Sequence, residues 1–339
     1  MKSLLVCLLL LLAGGARAAG IVDATGRTVA VPDLVMRVLP AGPSAAVLLA
    51  ALAPDLMLGW PQPLPPQAAA WLPDTVAALP QIPPVPGDRA AIMMLHPDLI
   101  VDYGTVNDRY IALAKGTQDA TGIPTVLLDG HLAKLPEVLR GLGRVLHREA
   151  RAEVLARLAE ATLAATGGRP TAVRAVLVHG APGASGGGKD GTEVAVPASG
   201  AAEVPELLGW TVLAPAAAAD EHGAFRPATL AEIAALDPDV LLFASPAMRQ
   251  TVADSPAWRA LRAVREGHAW IVPAAPFGWL EGPSSINRLL GLAWLSAGKD
   301  AGVLPFAAVF HALVYGRLPT PEQLADLRDA LRPIEPRPE

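Results

Sequence analysis

The sequence predicts an α/β fold of two lobes, each with a mostly parallel central sheet, and three observations support this fold class. Short apolar strands alternate with helical segments on both sides of one long strand-free stretch. A helical approach, a Pro-Asp step and an apolar strand occur twice, as "MLHPDLIVDYGTV" and "ALDPDVLLFASPA". A chain of 339 residues also exceeds the size at which single hydrophobic cores usually stop growing.

Residues 1–18 have the features of a secretory signal peptide. Lys2 supplies the positive charge, Leu4 to Leu12 the apolar stretch, and Ala16-Arg17-Ala18 the small-residue cleavage site. The apolar stretch is about half the ~20 residues of a membrane-spanning helix. We therefore expect cleavage before Ala19 and a location in the periplasm. The one cysteine, Cys7, lies inside this segment, so no thiol chemistry is expected in the mature chain.

The charged residues give a formal net charge of −5 and are interspersed along the chain. This balance offers no basic surface for nucleic acid or for an anionic membrane. The pattern divides the mature chain into a first lobe over residues 19–134, a connecting backbone helix over 135–166, and a second lobe with terminal helices over 167–339.

The first lobe opens with an alternating stretch that predicts a hairpin, "IVDATGRTVAVP". After a short strand, Ser44 stands where an N-cap would precede the helix Ala45 to Leu52. Asp88 is placed to cap the helix Arg89 to Leu95. The alternation continues with the strand Leu99 to Asp102, the helix Asn107 to Thr121 and the strand Thr125 to Leu128.

Residues 135–166 are rich in Ala, Leu, Arg and Glu, and their apolar positions recur at helical spacing. The simplest interpretation is one long helix that joins the lobes, with Leu146-His147 as the point at which it could break. A glycine-rich run, "GAPGASGGGKDG", lacks the ending of a phosphate-binding loop and indicates a flexible loop at the edge of a cleft. The second-lobe strands are predicted at Ala172 to Val178, Thr211 to Leu213, Val240 to Phe243 and Ala269 to Val272.

Seven segments resemble, in this order, the helical-backbone periplasmic binding proteins that serve ABC importers of ferric siderophores, haem and cobalamin. The segments are "DATGRTVAVP", "RVLPAGPSAAVLLAAL", "LHPDLIVDYGTV", "TGIPTVLLDG", "LAEIAALDPDVLLFAS", "SPAWRALRAVREGHAWIVP" and "PFGWLEGPSSINRLLGLAWL". The resemblance covers nearly the whole mature chain and is nearest to the iron ABC transporter substrate-binding proteins. Family members usually have a compact glycine-rich loop where this chain has "VHGAPGASGGGKDGTEVAV".

The resemblance implies two Rossmann-like lobes bridged by one rigid helix, with a ligand cleft between them and only small lobe motions on binding. It implies a periplasmic monomer that captures a ferric siderophore or similar metal chelate and delivers it to an ABC permease dimer with its ATPase. Cobalamin, haem, or a nickel or cobalt complex is an alternative ligand. A histidine-ligated metal-binding protein, or a sensory protein, is an alternative role. We expect no cofactor and no enzymatic reaction.

Ligands of open α/β lobes bind beyond the carboxyl ends of parallel strands, and this rule selects candidate site residues. They are Ser44, Trp60, Tyr103, Thr105, His131, His179, Ser245, Phe277 and Trp279. The aromatic rings could give flat apolar contact to an organic chelate, and the hydroxyls and imidazoles could hydrogen-bond its oxygens. Packing roles compete with ligand contact for each of them, most clearly for Trp60 beside the Pro-rich loop.

Three histidines, His131, His179 and His222, fall at predicted strand exits or in a nearby loop. If they converge on the cleft they could ligate iron, cobalt or nickel, or complete the coordination of a chelated metal; otherwise they are separate loop histidines. The chain has no His-x-x-x-His or His-Glu-x-x-His spacing. The letters G-x-S-x-G at Gly183 to Gly187 lack the strand-to-helix turn of a nucleophile elbow, so an esterase is not expected.

Overall fold

The computed structural model describes residues 19–166, 172–180, 192–216, 224–298 and 301–335. It confirms the predicted α/β fold class, with one parallel sheet and one mostly parallel sheet in separate parts of the chain. None of the helices in these ranges is long and apolar enough to cross a membrane.

The first lobe is built on a three-stranded parallel sheet. A small antiparallel hairpin precedes this sheet, and the Asp23 carboxylate fixes its turn by accepting hydrogen bonds from Thr25 and Arg27. The hairpin strands are β1 (Ala19–Val22) and β2 (Thr28–Val31). The sheet has the order β3 (Val38–Pro40), β4 (Leu99–Gly104) and β5 (Thr125–Asp129).

Five helices belong to the first lobe, and one of them has its predicted cap at Asp88, while Asn107, predicted as the first residue of a helix, is an N-cap instead. Asp88 caps α4 through its carboxylate, and Asn107 caps α5 through its side-chain oxygen. Gly42, and not Ser44, is the N-cap of α1, because Pro43 takes the first helical position and leaves Ser44 inside the first turn. The helices are α1 (Pro43–Leu52), α2 (Pro66–Ala69), α3 (Asp74–Ala77), α4 (Arg89–Met94) and α5 (Asp108–Thr121).

The prediction of one long connecting helix is wrong, because the chain folds back on itself at the point where a break was allowed. A 3-10 turn (Leu132–Lys134) leads into α6 (Leu135–Val145), and α7 (Glu149–Thr166) follows. Between them His147 adopts a left-handed backbone conformation with φ of 52°.

A side-chain contact demonstrates the reversal. The Arg140 guanidinium bonds Glu153 at 2.7 Å and Glu160 at 3.1 Å. In a straight helix at 1.5 Å per residue, residues 140 and 160 would be about 30 Å apart. The connector is therefore a helical hairpin.

The second lobe contains a six-stranded sheet. Its strands are β6 (Arg174–Val178), β7 (Glu193–Ala195), β8 (Thr211–Val212), β9 (Phe225–Pro227), β10 (Val240–Phe243) and β11 (Ala269–Ile271). The order is β11-β10-β6-β7-β9, with β8 also paired to β6. β7 pairs antiparallel with both β6 and β9. Residues 181–191 of the glycine-rich run that was predicted as a loop lie outside the described residues.

The helices after the connector complete both lobes. They are α8 (Glu203–Leu207), α9 (Leu230–Leu236), α10 (Met248–Asp254), α11 (Pro256–Arg259), α12 (Arg262–Arg265), α13 (Arg288–Ser296), a 3-10 turn (Ala301–Val303), α14 (Leu304–Tyr315) and α15 (Pro321–Ala330). Capping boxes begin α9 at Thr229 and α15 at Thr320.

The C-terminal helices were assigned by sequence to the second lobe, but they also pack on the first. α14 lies against α1, and Trp71 of the first lobe packs on His311 of α14 with ring centroids 4.7 Å apart. Arg151 of α7 donates to the carbonyl oxygens of Ala51 and Val314, and so joins the ends of α1 and α14. The chain thus crosses between the lobes twice.

One continuous apolar core runs through both lobes. A single cluster of buried residues includes Leu49 of α1, Leu155 of the hairpin and Leu289 of α13. Smaller clusters cover the outer face of each sheet. Because the two lobes share packed side chains, core packing joins them in addition to the connecting hairpin and limits how far they can part.

Candidate functional site

A cavity of about 280 Å³ lies between the two lobes. Its first-lobe wall is formed by Pro43 and Val47 of α1 and by the segment Trp60 to Pro65, and its second-lobe wall by residues of the loop 274–283. β3 ends at Pro40 and β11 ends at Ile271, so both walls follow the carboxyl ends of parallel strands. This is the position at which open α/β sheets bind ligands.

Two of the predicted site residues, Trp60 and Phe277, line this cavity from opposite lobes. Their ring centroids are 5.9 Å apart with the planes tilted by 40°. The indole nitrogen of Trp60 donates to the carbonyl oxygen of Val76 at 3.0 Å, so the ring offers the cavity an apolar face. Contact of these rings with a ligand stays a prediction.

The proline-rich loop after Trp60 was not among the residues predicted to form the site, but it forms part of the cavity wall. Pro61, Gln62, Pro63, Leu64 and Pro65 all line the cavity. Its sequence could have indicated this role, because the loop directly follows Trp60. Its prolines also fix the backbone without adding flexible side chains, which suits a rigid wall. The loop was assigned only to packing.

The structure places Trp279 in the core and not among the residues that line the cavity, and its contact with a ligand stays a prediction. None of its surface is exposed. Its indole nitrogen donates to the carbonyl oxygen of Ala275 at 3.2 Å, and its ring meets Trp294 edge-on at 6.3 Å. Trp279 supports the loop that carries Phe277.

Tyr103 ends β4 as predicted, but its ring is 3% exposed and does not line the cavity. Its hydroxyl donates to the carbonyl oxygen of Gly130 at 3.4 Å. Burial raises the pKa of the phenol to about 12, which keeps it protonated and able to donate. Tyr103 therefore braces the exits of β4 and β5, and contact of its ring with a ligand stays a prediction.

The polar candidates lie at the exits of several strands. Thr105 is exposed after β4, and Ser245 is half-buried after β10. Ser44 is half-buried in the first turn of α1, beside the cavity residue Pro43. None of these three residues lines the cavity. Their contact with a ligand stays a prediction.

Two of the predicted histidines are each held by a carboxylate through Nδ1. His131 Nδ1 lies 2.6 Å from Asp129 Oδ1, and His179 Nδ1 lies 2.6 Å from Glu281 Oε2. His179 also stacks on Phe225 at 4.1 Å. The hydrogen bond to Glu281 raises the pKa of His179 above its usual value. Glu281 was not identified from the sequence, although it lies in the same loop as Phe277.

His222 lies outside the described residues, so the predicted convergence of three histidines is not decided. Within the described ranges, no group of three or more His, Cys, Asp or Glu side chains is arranged to hold a metal ion. The carboxylate partners of His131 and His179 fix their ring orientation and leave Nε2 of each ring for a ligand.

A larger hollow of about 460 Å³ lies between α6 and α7 and is a poorer candidate. Glu137, Arg140 and Glu160 contribute to its walls. Arg140 is bonded to Glu160 and Glu153, so its charge is already neutralised by the hairpin. The hollow lies away from the strand ends, and its position follows from how the two helices pack.

Comparison with known proteins agrees with this geometry. A family profile described as periplasmic binding protein matches residues 83–276, more than half of the chain. No curated protein sequence matches the chain.

Solved structures show the same fold. An ABC transporter solute binding protein from Sulfurospirillum deleyianum has a TM-score of 0.78 at 21% identity, over 92% of this chain and 98% of that one. The molybdate periplasmic binding protein MolA of Haemophilus influenzae has a TM-score of 0.67 at 15% identity, over 89% and 99%. An ABC-type Fe3+-hydroxamate transport system protein from Saccharomonospora viridis has a TM-score of 0.56 at 19% identity, over 83% and 99%.

Proposed function

The chain belongs to the periplasmic binding protein family, and from this premise we propose that it is the solute-binding component of an ABC importer. Its ligand is a ferric siderophore or a similar metal chelate, which it delivers to the permease dimer and its ATPase. It performs no reaction on the ligand. The cavity between the lobes, lined by the contacting rings of Trp60 from the first lobe and Phe277 from the second, is the observation that carries this proposal.

The chemistry of the cavity wall favours a ligand with an organic surface. Aromatic rings, prolines, Val47 and Leu64 make the lining mostly apolar, and Gln62 adds a polar amide. A bare oxyanion, such as the molybdate bound by one structural neighbour, is recognised through hydrogen-bond donors, whereas the arms of a chelate need flat apolar contact. The hydroxamate neighbour carries a ligand of the proposed class.

The two carboxylate-held histidines support a second candidate, in which a histidine adds a ligand to the metal of a chelate. Neutral imidazole is a common metal ligand, and a carboxylate at Nδ1 orients Nε2 toward a metal. His131 and His179 have this arrangement, each on a different lobe. This candidate covers nickel and cobalt complexes as well as incompletely coordinated iron, and haem or cobalamin remains the broader alternative.

Tryptophan fluorescence tests the proposal. Titration with ferric desferrioxamine B, cobalamin, haem and a nickel–histidine complex should give saturable quenching with the ferric chelate. Trp60→Phe should remove most of the quenching, because Trp60 lines the cavity. Trp258→Phe is the matched control, because Trp258 packs on Phe243 at the outer face of the second sheet. Quenching by haem or cobalamin alone would overturn the ligand class, and equal loss in both variants would overturn the site.

A further inference from the structure

A buried ion pair of the second lobe reaches the backbone of the first lobe. Arg288 begins α13 and its side chain is 2% exposed, and Glu203 begins α8 with 13% exposed. The Arg288 guanidinium contacts the Glu203 carboxylate and also donates to the carbonyl oxygen of Gly130. The other Glu203 oxygen accepts from the backbone N–H of Leu132 at 2.8 Å. One charge pair therefore holds both ends of the tripeptide 130–132.

This arrangement requires the lobes to remain at their present separation. Removing two charges from water is unfavourable by several kcal/mol per ion unless hydrogen bonds compensate them. Here some of those bonds come from the opposite lobe, so parting the lobes would leave Arg288 and Glu203 buried with fewer partners. A hydrogen bond of 2.8 Å is lost once its atoms part by about 1 Å. The Glu203–Arg288 pair thus opposes even a small separation of the two lobes.

The held tripeptide has little freedom on the first-lobe side as well. Tyr103 donates to the same Gly130 carbonyl oxygen at 3.4 Å. A Cβ atom on Gly130 would lie 2.6 Å from the Cα atom of Gly104, so β4 and β5 approach each other too closely there for any side chain. Gly130 is therefore fixed by its own lobe and by the opposite lobe together.

The middle residue of the tripeptide is His131. Its backbone is held on both sides, while its side chain is 63% exposed and oriented only by Asp129. The ion pair does not touch the imidazole. A displacement of the tripeptide would nevertheless move the ring, because Gly130 and Leu132 are its direct neighbours.

We infer that Glu203 and Arg288 are positioning residues, which lock the two lobes at one separation and hold His131 in place after the end of β5. The lock itself follows from the contacts alone. Its effect on ligand binding rests on the function proposed above, and the two parts are tested separately.

Distance measurement between the lobes tests the lock without any ligand. Spin labels at Lys115→Cys in α5 and Gln250→Cys in α10 report on the separation, because both positions are exposed and the only native cysteine is Cys7. Double electron–electron resonance should give one narrow distance for the parent protein. Glu203→Gln should broaden it and lengthen it by about 2 Å or more, the usual size of a domain rearrangement.

Two further variants, a control and a conservative substitution, complete the distance measurement. Glu153→Gln is the matched control, because it weakens an Arg–Glu pair inside the connecting hairpin and should leave the distance unchanged. Glu203→Asp retains the charge beside Arg288 but withdraws the carboxylate from Leu132, so it should open the lobes less than Glu203→Gln and serves if that variant does not fold. A narrow, unshifted distance in whichever Glu203 variant folds would overturn the lock.

Binding of ferric desferrioxamine B tests the second part. If about a tenth of Glu203→Gln molecules keep the closed separation, the apparent Kd rises about ten-fold. An unchanged Kd with a broadened distance would overturn the effect on the site and leave the lock standing. Failure of the parent protein to bind this chelate would count against the proposed ligand, whereas the distance measurement would still decide the lock.

Discussion

At the scale of single residues, His311 is the buried titratable group with the clearest consequence. It is fully buried in α14 among the rings of Trp71, Phe310 and Tyr315. Burial lowers the pKa of its imidazole to about 4, from 6.5 when unfolded. The ring is therefore neutral in the folded protein at physiological pH.

We predict that His311 makes the protein less stable as the pH falls. Between pH 6.5 and 4 the unfolded chain binds a proton at His311 that the folded chain does not. The stability is complete above pH 6.5 and falls toward pH 4 by about 3 kcal/mol. Urea unfolding of His311→Phe across this range should show a shallower pH dependence. His268→Gln, at a half-exposed position, should keep the pH dependence of the parent protein. The same pH dependence in His311→Phe would contradict the role of His311.

The sequence could predict which strand exits form the site, but not where each side chain points. Both Trp60 and Phe277 line the cavity: Phe277 lies in the loop after β11, and Trp60 follows an isolated β-bridge between Met57 and Val38. Trp279 is two residues beyond Phe277 in the same irregular loop, yet it is fully buried. Successive side chains alternate between the two faces of a regular strand, but this rule does not hold in an irregular loop. Glu281 had no detectable signal, because its role depends on where His179 lies in space.

At the scale of secondary structure, the crossing of α6 and α7 depends on one close approach. A Cβ atom on Gly143 would lie 2.3 Å from the Cβ atom of Ala152. The chain also caps α6 here, through a bond from the backbone N–H of Arg148 to the carbonyl oxygen of Gly143. Glycine at this position therefore allows the two helices to approach this closely.

We predict that Gly143→Ala destabilises the protein by about 1–3 kcal/mol, because the added methyl group forces the two helices apart. Gly141→Ala is the control in the same helix, since a Cβ atom there meets nothing within 4 Å. It should stabilise the protein by about 0.5–1 kcal/mol through its higher helix propensity. Chemical denaturation measures both, and a shift of the two variants in the same direction would contradict the close packing.

Sequence periodicity could predict the helices of the connector but not their reversal. Apolar spacing continues across Leu146 and His147, so it is compatible with one helix or with two. The reversal depends on His147 in a left-handed conformation and on the Gly143 contact, both of which are tertiary features. The caps at Asp88 and Asn107 were predictable because they act within one turn of chain.

At the scale of the whole molecule, the match to the periplasmic binding protein family confirms the resemblance seen in seven segments. The chain crosses between the lobes twice, and the lobes share one apolar core, so they pack as a single body. The sequence pattern could predict two lobes, but it could not show that α14 returns to the first. That contact joins residues more than 200 positions apart.

We predict that export removes residues 1–18 and that the mature protein is recovered from the periplasm. β1 begins at Ala19, the first residue after the predicted cleavage site, so the fold retains all its described strands. N-terminal sequencing of the periplasmic protein should begin at Ala19. A protein that keeps Met1, or that remains with the membrane after osmotic shock, would contradict the prediction.

Native mass spectrometry of the protein purified from its own periplasm measures the occupant of the cavity most directly. We expect an added mass equal to an organic chelate with one metal ion. Phe277→Ala should lose that mass, because it removes one of the aromatic rings that line the cavity. Trp258→Phe should retain it. A protein that carries a bare metal ion, or a chelate that Phe277→Ala still holds as tightly as the parent does, would contradict the central claim.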